Sequence, residues 1–199
     1  WEKITNSSAT LTTQASFTAN YVTQRAACGT WGTLGSGVDS TVRAITSTST
    51  GALVIGGAFS NASGATANAI VLWNNPGFAN VGAATALSGA IVRTVTVGTD
   101  GYIYAGGTLT TASGTSTCAI ARFSGTGWQT MASGVQGDPV VGPAVVYVSQ
   151  LDKDGNIIVG GGLTGGGGGV ASCGIIKWNV GSSAWNTIAN GVRRNDANV

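Results

Sequence analysis

The sequence predicts an all-β protein: a β-propeller-like array of four-stranded blades, about three full blades with a partial one before them. Three observations carry this. A Gly-Gly phrase returns three times at a near-constant interval. Short β-branched runs and turn residues flank every copy. Each unit closes on an aromatic phrase followed by Gly-Val or a remnant of it. Four short strands in about 50 residues is the spacing of a propeller blade.

The elements follow in the same order in each unit. The first strand is the run Val42-Arg43-Ala44-Ile45, then Val92-Arg93-Thr94-Val95, then Val145-Val146-Tyr147-Val148. Val, Ile, Thr and aromatics favour a pleated, half-buried surface. A turn comes next, at Thr50-Gly51, Asp100-Gly101 and Asp154-Gly155; Asp-Gly between apolar runs is a hairpin signal. The second strand ends on the Gly-Gly phrase, at Gly56-Gly57, Gly106-Gly107 and Gly160-Gly161. Lacking Cβ atoms, these pairs allow backbones to crowd and a bulge to form. Small residues then predict a connecting loop (61–65, 111–115 and the pentaglycine 165–169), the last as a flexible one.

The third strand is Ala69-Ile70-Val71-Leu72-Trp73, Ala119-Ile120-Ala121-Arg122-Phe123 and Gly174-Ile175-Ile176-Lys177-Trp178. The closing phrase contains Trp31 with Gly37-Val38, Trp128 with Gly134-Val135, and Trp185 with Gly191-Val192. A weaker copy, Phe78-Ala79-Asn80-Val81, ends the first full unit. The closing Trp is expected to pack between blades as a large apolar plug. In the first unit the strands are expected near 41–48, 52–59, 68–74 and 78–83. The units divide the chain into a partial blade at 1–38, blades at 39–87, 88–135 and 136–192, and a tail at 193–199. The opening residues, Trp1-Glu2-Lys3, suggest a processed end or a piece of a longer protein.

Composition narrows the function. Only 16 of the 199 residues are Lys, Arg, Asp or Glu, or 8%, against roughly 25% in an ordinary soluble domain. Gly takes 33 positions, and Ser with Thr takes 44. A net charge of +2 with scattered basic residues is no nucleic-acid footprint. No run is long and apolar enough to predict a membrane span. With no histidine, Ser-His-Asp and Cys-His catalysis and His-ligated metals are excluded.

The Gly-Gly and Trp phrases together resemble a propeller-type repeat of bacterial and fungal cell-surface proteins and of large DNA virus proteins. The resemblance rests on Gly56-Gly57-Ala58-Phe59-Ser60-Asn61-Ala62-Ser63-Gly64 with Ile70-Val71-Leu72-Trp73, and on their counterparts in the second unit. The third unit departs from it at Gly162-Leu163-Thr164 and the pentaglycine. It spans about residues 28–192 and implies a propeller, not an activity.

Several residues could still carry chemistry. Asp152-Lys153-Asp154-Gly155-Asn156 opens like a calcium loop, but Leu163 stands where an EF-hand needs Glu, so a hairpin turn is expected. The glycine run lacks the Lys-Ser/Thr and helix of a phosphate loop. Cys118 and Cys173 occupy equivalent positions and are expected as buried thiols. Arg43 and Arg93 match between units, as do Arg122 and Lys177; they are expected on solvated strand positions with their stems on apolar neighbours. Tyr21, Trp73, Tyr102 and Tyr147 are the aromatics a carbohydrate-binding face would use. Asn6 and Asn61 begin glycosylation sequons. The acids fall mostly in turns and make no catalytic pair.

The sequence therefore predicts a non-enzymatic structural or adhesive module of a virion or cell-surface assembly. It needs no cofactor or metal, and protein neighbours and glycans are the candidate partners. A carbohydrate-binding propeller module is the alternative, and a fragment of a secreted propeller enzyme a second one.

Overall fold

The structure, a computed structural model, describes residues 32–82, 87–88, 90–112, 115–116, 119–140 and 142–189. Tyr21, Cys28, Trp31 and Cys118, the Asn6 sequon, Gly191-Val192 and the expected tail lie outside them. All regular structure among the described residues is β-strand.

Three four-stranded antiparallel sheets follow one another. The first comprises β1 (Val42–Ser47), β2 (Leu53–Gly57), β5 (Ile70–Asn74) and β6 (Gly77–Asn80). A small hairpin of β3 (Asn61–Ala62) and β4 (Ala65–Thr66) is inserted between its middle strands. The second comprises β8 (Val92–Val97), β9 (Ile103–Gly107), β12 (Ile120–Phe123) and β13 (Trp128–Thr130). Its insert is β10 (Thr111–Ala112) with β11 (Thr115–Ser116), joined by β7 (Leu87–Ser88). The third comprises β15 (Val145–Leu151), β16 (Ile157–Gly162), β19 (Ile175–Asn179) and β20 (Ala184–Asn186). Its insert is β17 (Gly165–Gly166) with β18 (Val170–Ala171), joined by β14 (Val135–Gln136). In each sheet the main strands pair in chain order, as a meander.

The first turn of every sheet has one construction. The amide of Gly51, Gly101 or Gly155 donates to the carbonyl of Thr48, Gly98 or Asp152, at 3.0, 3.0 and 3.2 Å. These glycines carry φ of +84°, +78° and +79°, a region that L side chains rarely enter. Side chains brace the turns. The Thr48 hydroxyl accepts from the Ala52 amide, Asp100 from the Tyr102 amide, and Asp152 from the amides of Asp154 and Asn156.

The second glycine of each pair is required by backbone crowding. A Cβ on Gly57, Gly107 or Gly161 would fall 2.1, 1.8 or 2.1 Å from the carbonyl oxygen of Thr41, Ile91 or Val145. At that level the first strand bulges, and its register shifts between Val42 and Ala44, Val92 and Thr94, and Val146 and Val148. The same glycines donate their amides to Ala69, Ala119 and Gly174. These three acceptors sit just before the third strand, and all have left-handed φ, +64°, +71° and +73°. The ladder thus holds two alanines in a conformation that costs a Cβ-bearing residue about 1–2 kcal/mol.

The inserts replace the loops expected from the small residues. The pentaglycine is the sharpest difference, because it is packed and not a free linker. Gly165, Gly166 and Gly167 are buried. A Cβ on Gly166 would meet Trp185 at 2.5 Å, and one on Gly167 would meet the Ala132 carbonyl oxygen at 1.4 Å. The insert also reaches backwards along the chain. β7 pairs with β10, β14 pairs with β17, and Val38 bridges Ala62. The end of each unit therefore becomes a strand of its successor's insert.

Two apolar cores lie between sheets. One gathers Val54 and Ile70 with Val92, Ala105 and Trp128. The other gathers Tyr104 and Ile120 with Val146, Val159 and Trp185. A third and smaller core, with Ile55, Phe59 and Val71, covers the other face of the first sheet.

Gly107→Ala should be severely destabilising, because backbone must move to admit the methyl. Gly127, whose Cβ would meet nothing within 4 Å, should accept Ala within about 1 kcal/mol of wild type. Thermal unfolding of the two variants beside wild type checks the contrast.

Candidate functional site

Among the described residues the chemistry converges on the junctions between sheets. The first glycine of each pair makes the seat. A Cβ on Gly56 would lie 2.5 Å from Val92 Cγ1, and one on Gly106 would lie 2.5 Å from Val146 Cγ1. A methyl-bearing valine from the following sheet thus occupies the place a side chain would need. Both valines are wholly buried, a contribution of about 1.5–3 kcal/mol each.

Three further contacts accompany these seats: one repeats at both junctions, one recurs within each sheet, and one belongs to a single junction. Trp128 donates its indole N–H to the Val81 carbonyl at 2.8 Å, and Trp185 does the same to Met131 at 2.8 Å. Each closing Trp so fastens its sheet to the end of the preceding unit. Next to it lies an aromatic pair: Trp73–Phe78, Phe123–Trp128 and Trp178–Trp185, with centroids 4.8, 5.6 and 5.1 Å apart. Between the first strands, Ser149 meets Thr94 at 2.9 Å and Thr96 at 2.7 Å through buried hydroxyls. At the same register in the other junction, Val95 takes the place of Ser149 and Ala44 that of Thr94.

The basic residues join these contacts. The Arg93 guanidinium lies 5.2 Å from the Tyr147 ring centroid. That of Arg122 lies 5.4 Å from Tyr102 and 5.7 Å from Trp178. Both are cation–π distances across or within sheets. Lys177 stands at the matching place in the third sheet, 4.0 Å from Asp152, and Arg43 is exposed.

The outermost faces differ from the junctions. On β1, Val42 and Ile45 are 40% and 60% exposed, whereas Val92 and Val95 are 0% and 7%. On β15, Val148 is 56% exposed, whereas its counterpart Thr94 is 7%. Among the described residues Gly160 seats no valine from another sheet; its Cβ position is approached at 2.9 Å by Val148 of its own sheet.

Other sequence candidates resolve differently. Asp152 spends its oxygens on Asp154 and Asn156, and no group of three metal-ligating side chains forms among the described residues. Those hydrogen bonds, led by the Asn156 side chain, hold its carboxyl below the usual carboxylate range. Asp39, which lies beside the first insert and was not singled out from sequence, behaves alike. It accepts from the amides of Ser60 and Asn61 and from the Asn61 side chain, and its pKa is lowered by them. The Asn61 sequon is exposed, with its side-chain nitrogen engaged by Asp39. Cys173 is exposed and not the buried thiol expected, since the residues before Gly174 form the outer end of the insert. Of the carbohydrate candidates, Trp73 packs on Phe78 and Tyr102 lies under Arg122, both half-buried. Tyr147 is exposed with one face toward Arg93.

No helix among the described residues is long and apolar enough to cross a membrane. Neither a scan against protein-family models nor a search of curated proteins finds a match to the chain.

Trp185→Phe keeps the aromatic packing but leaves the buried Met131 carbonyl without its donor. It should lose about 1–3 kcal/mol, measured by urea unfolding, whereas Phe78, which already lacks an indole, sets the reference geometry. Tyr104 is fully buried and hydrogen-bonded to Asp100 at 2.6 Å. Burial first, then Asp100, pushes its phenol well above the ordinary value. An unfolded tyrosine loses its proton near pH ~10, where the folded one keeps it. The Tyr104 contribution is therefore complete below that pH and falls as pH rises beyond it. Tyr104→Phe should flatten the alkaline limb of a stability–pH curve.

Proposed function

We propose that the chain is a section of a propeller-type β-repeat array with a non-enzymatic, structural or adhesive role on a virion or cell surface. The observation that carries the reading is the repeated junction. The same Gly-to-Val seat and the same Trp hydrogen bond join successive sheets. The strands that begin the sheets lie against one another, β1 on β8 and β8 on β15, as inner strands do around a propeller axis.

A binding role through shape suits the surface. Many polar groups are satisfied by hydroxyls, amides and indoles, with Arg93 Nε and Trp178 Nε1 buried without a partner, and few charges are available for steering or catalysis. Where sheets cover one another, turns and inserts are what remains exposed, whereas β1 and β15 leave Ile45, Tyr147 and Val148 exposed. Protein neighbours are the partners that this favours, and glycans the second class, with Tyr147 as the one candidate aromatic exposed among the described residues.

Antibodies raised against the chain test the location. They should label intact particles or unpermeabilised cells of the source. Labelling obtained only after lysis would overturn a surface role. A glycan array probed with the same chain separates the readings, because binding abolished by Tyr147→Ala would favour the carbohydrate module.

A further inference from the structure

We infer that Arg43, Arg93 and Tyr147 form a binding site for an acidic saccharide, a sugar chain that carries carboxylate or sulfate groups. The inference rests on the adhesive reading above and names the class of ligand it would serve.

The bulges build the site. In each first strand one residue is extra to the pairing. Val42 and Ala44 face the consecutive glycines Gly57 and Gly56, so Arg43 between them faces no residue of the next strand. Arg93 stands likewise between Val92 and Thr94, and Tyr147 between Val146 and Val148. A bulged residue leaves the ladder and its side chain is re-aimed, which is why bulges gather beside active sites. The first strands lie side by side, β1 against β8 and β8 against β15. The three re-aimed residues therefore stand at one level on three neighbouring strands. Both steps of this row, first sheet to second and second to third, lie inside the chain.

Charge decides what the row can hold. At the second step the Arg93 guanidinium lies 5.2 Å from the Tyr147 ring centroid, a cation–π contact. At the first step Arg93 itself takes the place of Tyr147, and its neighbour in the row is a second guanidinium, Arg43. Neither arginine enters an ion pair among the described residues. Arg93 Nε is buried without a hydrogen-bond partner. The acids are committed elsewhere, Asp39 and Asp152 to amides and Asp100 to an amide and the Tyr104 hydroxyl. Arg122 shows what an arginine used only for packing looks like. Its Nε donates to Gln129, and its guanidinium lies over Tyr102 and Trp178. Two like charges on neighbouring strands, one with a buried N–H unpaired, carry a cost. An anion held between them removes it. A guanidinium is planar and permanently charged, and its fork fits the paired oxygens of an oxyanion.

Tyr147 points to a sugar as the bearer of that anion. Its side chain is 56% exposed and offers an apolar ring to C–H groups and a hydroxyl to ring oxygens. A nucleic acid needs many phosphate contacts from a broad basic surface, which a chain of net charge +2 does not provide.

Isothermal titration calorimetry of the full chain tests the site with three oligosaccharides: an oligogalacturonate, its methyl ester, and a sulfated galactan that has no carboxylate. At least one of the two acidic probes should bind, and which one binds names the anionic group. The methyl ester should bind about tenfold or more weakly, and affinity for the acidic probe should fall as salt is raised. Arg43→Gln and Arg93→Gln should each weaken binding by about tenfold or more. Arg93→Lys, which keeps the charge but loses the fork, should fall between wild type and Arg93→Gln. Tyr147→Ala should weaken binding as well. Near-ultraviolet circular dichroism checks folding, and the exposed Arg43 carries the test if Arg93→Gln unfolds. Failure of both acidic probes to bind overturns the proposal, as does equal binding of the methyl ester or binding untouched by Arg43→Gln. A surface location would stand in any of those cases, since labelling of intact particles reads it independently.

Discussion

The missing Cβ atoms of the Gly-Gly pair are the constraint on which the rest of the molecule depends. The second glycine lets a carbonyl of the first strand come closer than any side chain would allow. That contact permits the bulge, and the bulge turns the first strand so that one valine points away from its own sheet. The first glycine of the neighbouring sheet leaves the hole into which the valine goes. Sheet spacing, the reach of the closing indole to a carbonyl of the preceding unit and the meeting of Thr94 with Ser149 all follow from that approach.

A chain so short of charge must satisfy its polar groups by other means. The acids do so locally. Asp39 and Asp152 collect amides, and Asp100 takes an amide and the Tyr104 hydroxyl. They act as turn braces, a role in which the short side chain of Asp reaches nearby backbone directly. Arg93 and Arg122 lie over rings. Ion pairs are few among the described residues, and the closer, Lys153 with Asp154, is solvent-exposed, where such pairs add little. Stability therefore rests on apolar contact and neutral hydrogen bonds.

Much of the sheet pattern was legible. Alternating β-branched runs, the turn glycines and the 50-residue return of Gly56 at Gly106 specify strands and their order, because both periodicities are properties of local sequence. The backbone crowding at Gly57 was among the readings that paired glycines at a strand end allow, beside a bulge or a positive φ. What the sequence hid was the partner of each residue. Nothing local says that Gly56 answers to Val92, or that Trp185 donates to Met131 across 54 residues. The inserts were hidden for a different reason. Two-residue strands such as Gly165–Gly166 have no side-chain alternation to read, so a packed hairpin and a free linker look alike in sequence. Asp39 escaped notice because a single carboxylate before a strand carries no pattern until Asn61 is brought beside it. The exposure of Val42 and Ile45, which stand where Val92 and Val95 do in the next sheet, was not legible, because exposure belongs to the assembled structure alone.

The overlap between units bears on how such a chain changes length over evolutionary time. Because the last residues of one unit form a strand in the insert of the next, sequence period and packing unit are out of phase. A duplication can begin at any point in the period and still be sound if it ends one period later. It delivers one seat, one knob, one clasp and one acceptor carbonyl, all in the right order, and the junction it creates is one the chain already knows how to make. Gain and loss of whole periods should be far easier to tolerate than insertions of any other length, so the phase of the repeat is inherited more strictly than its number.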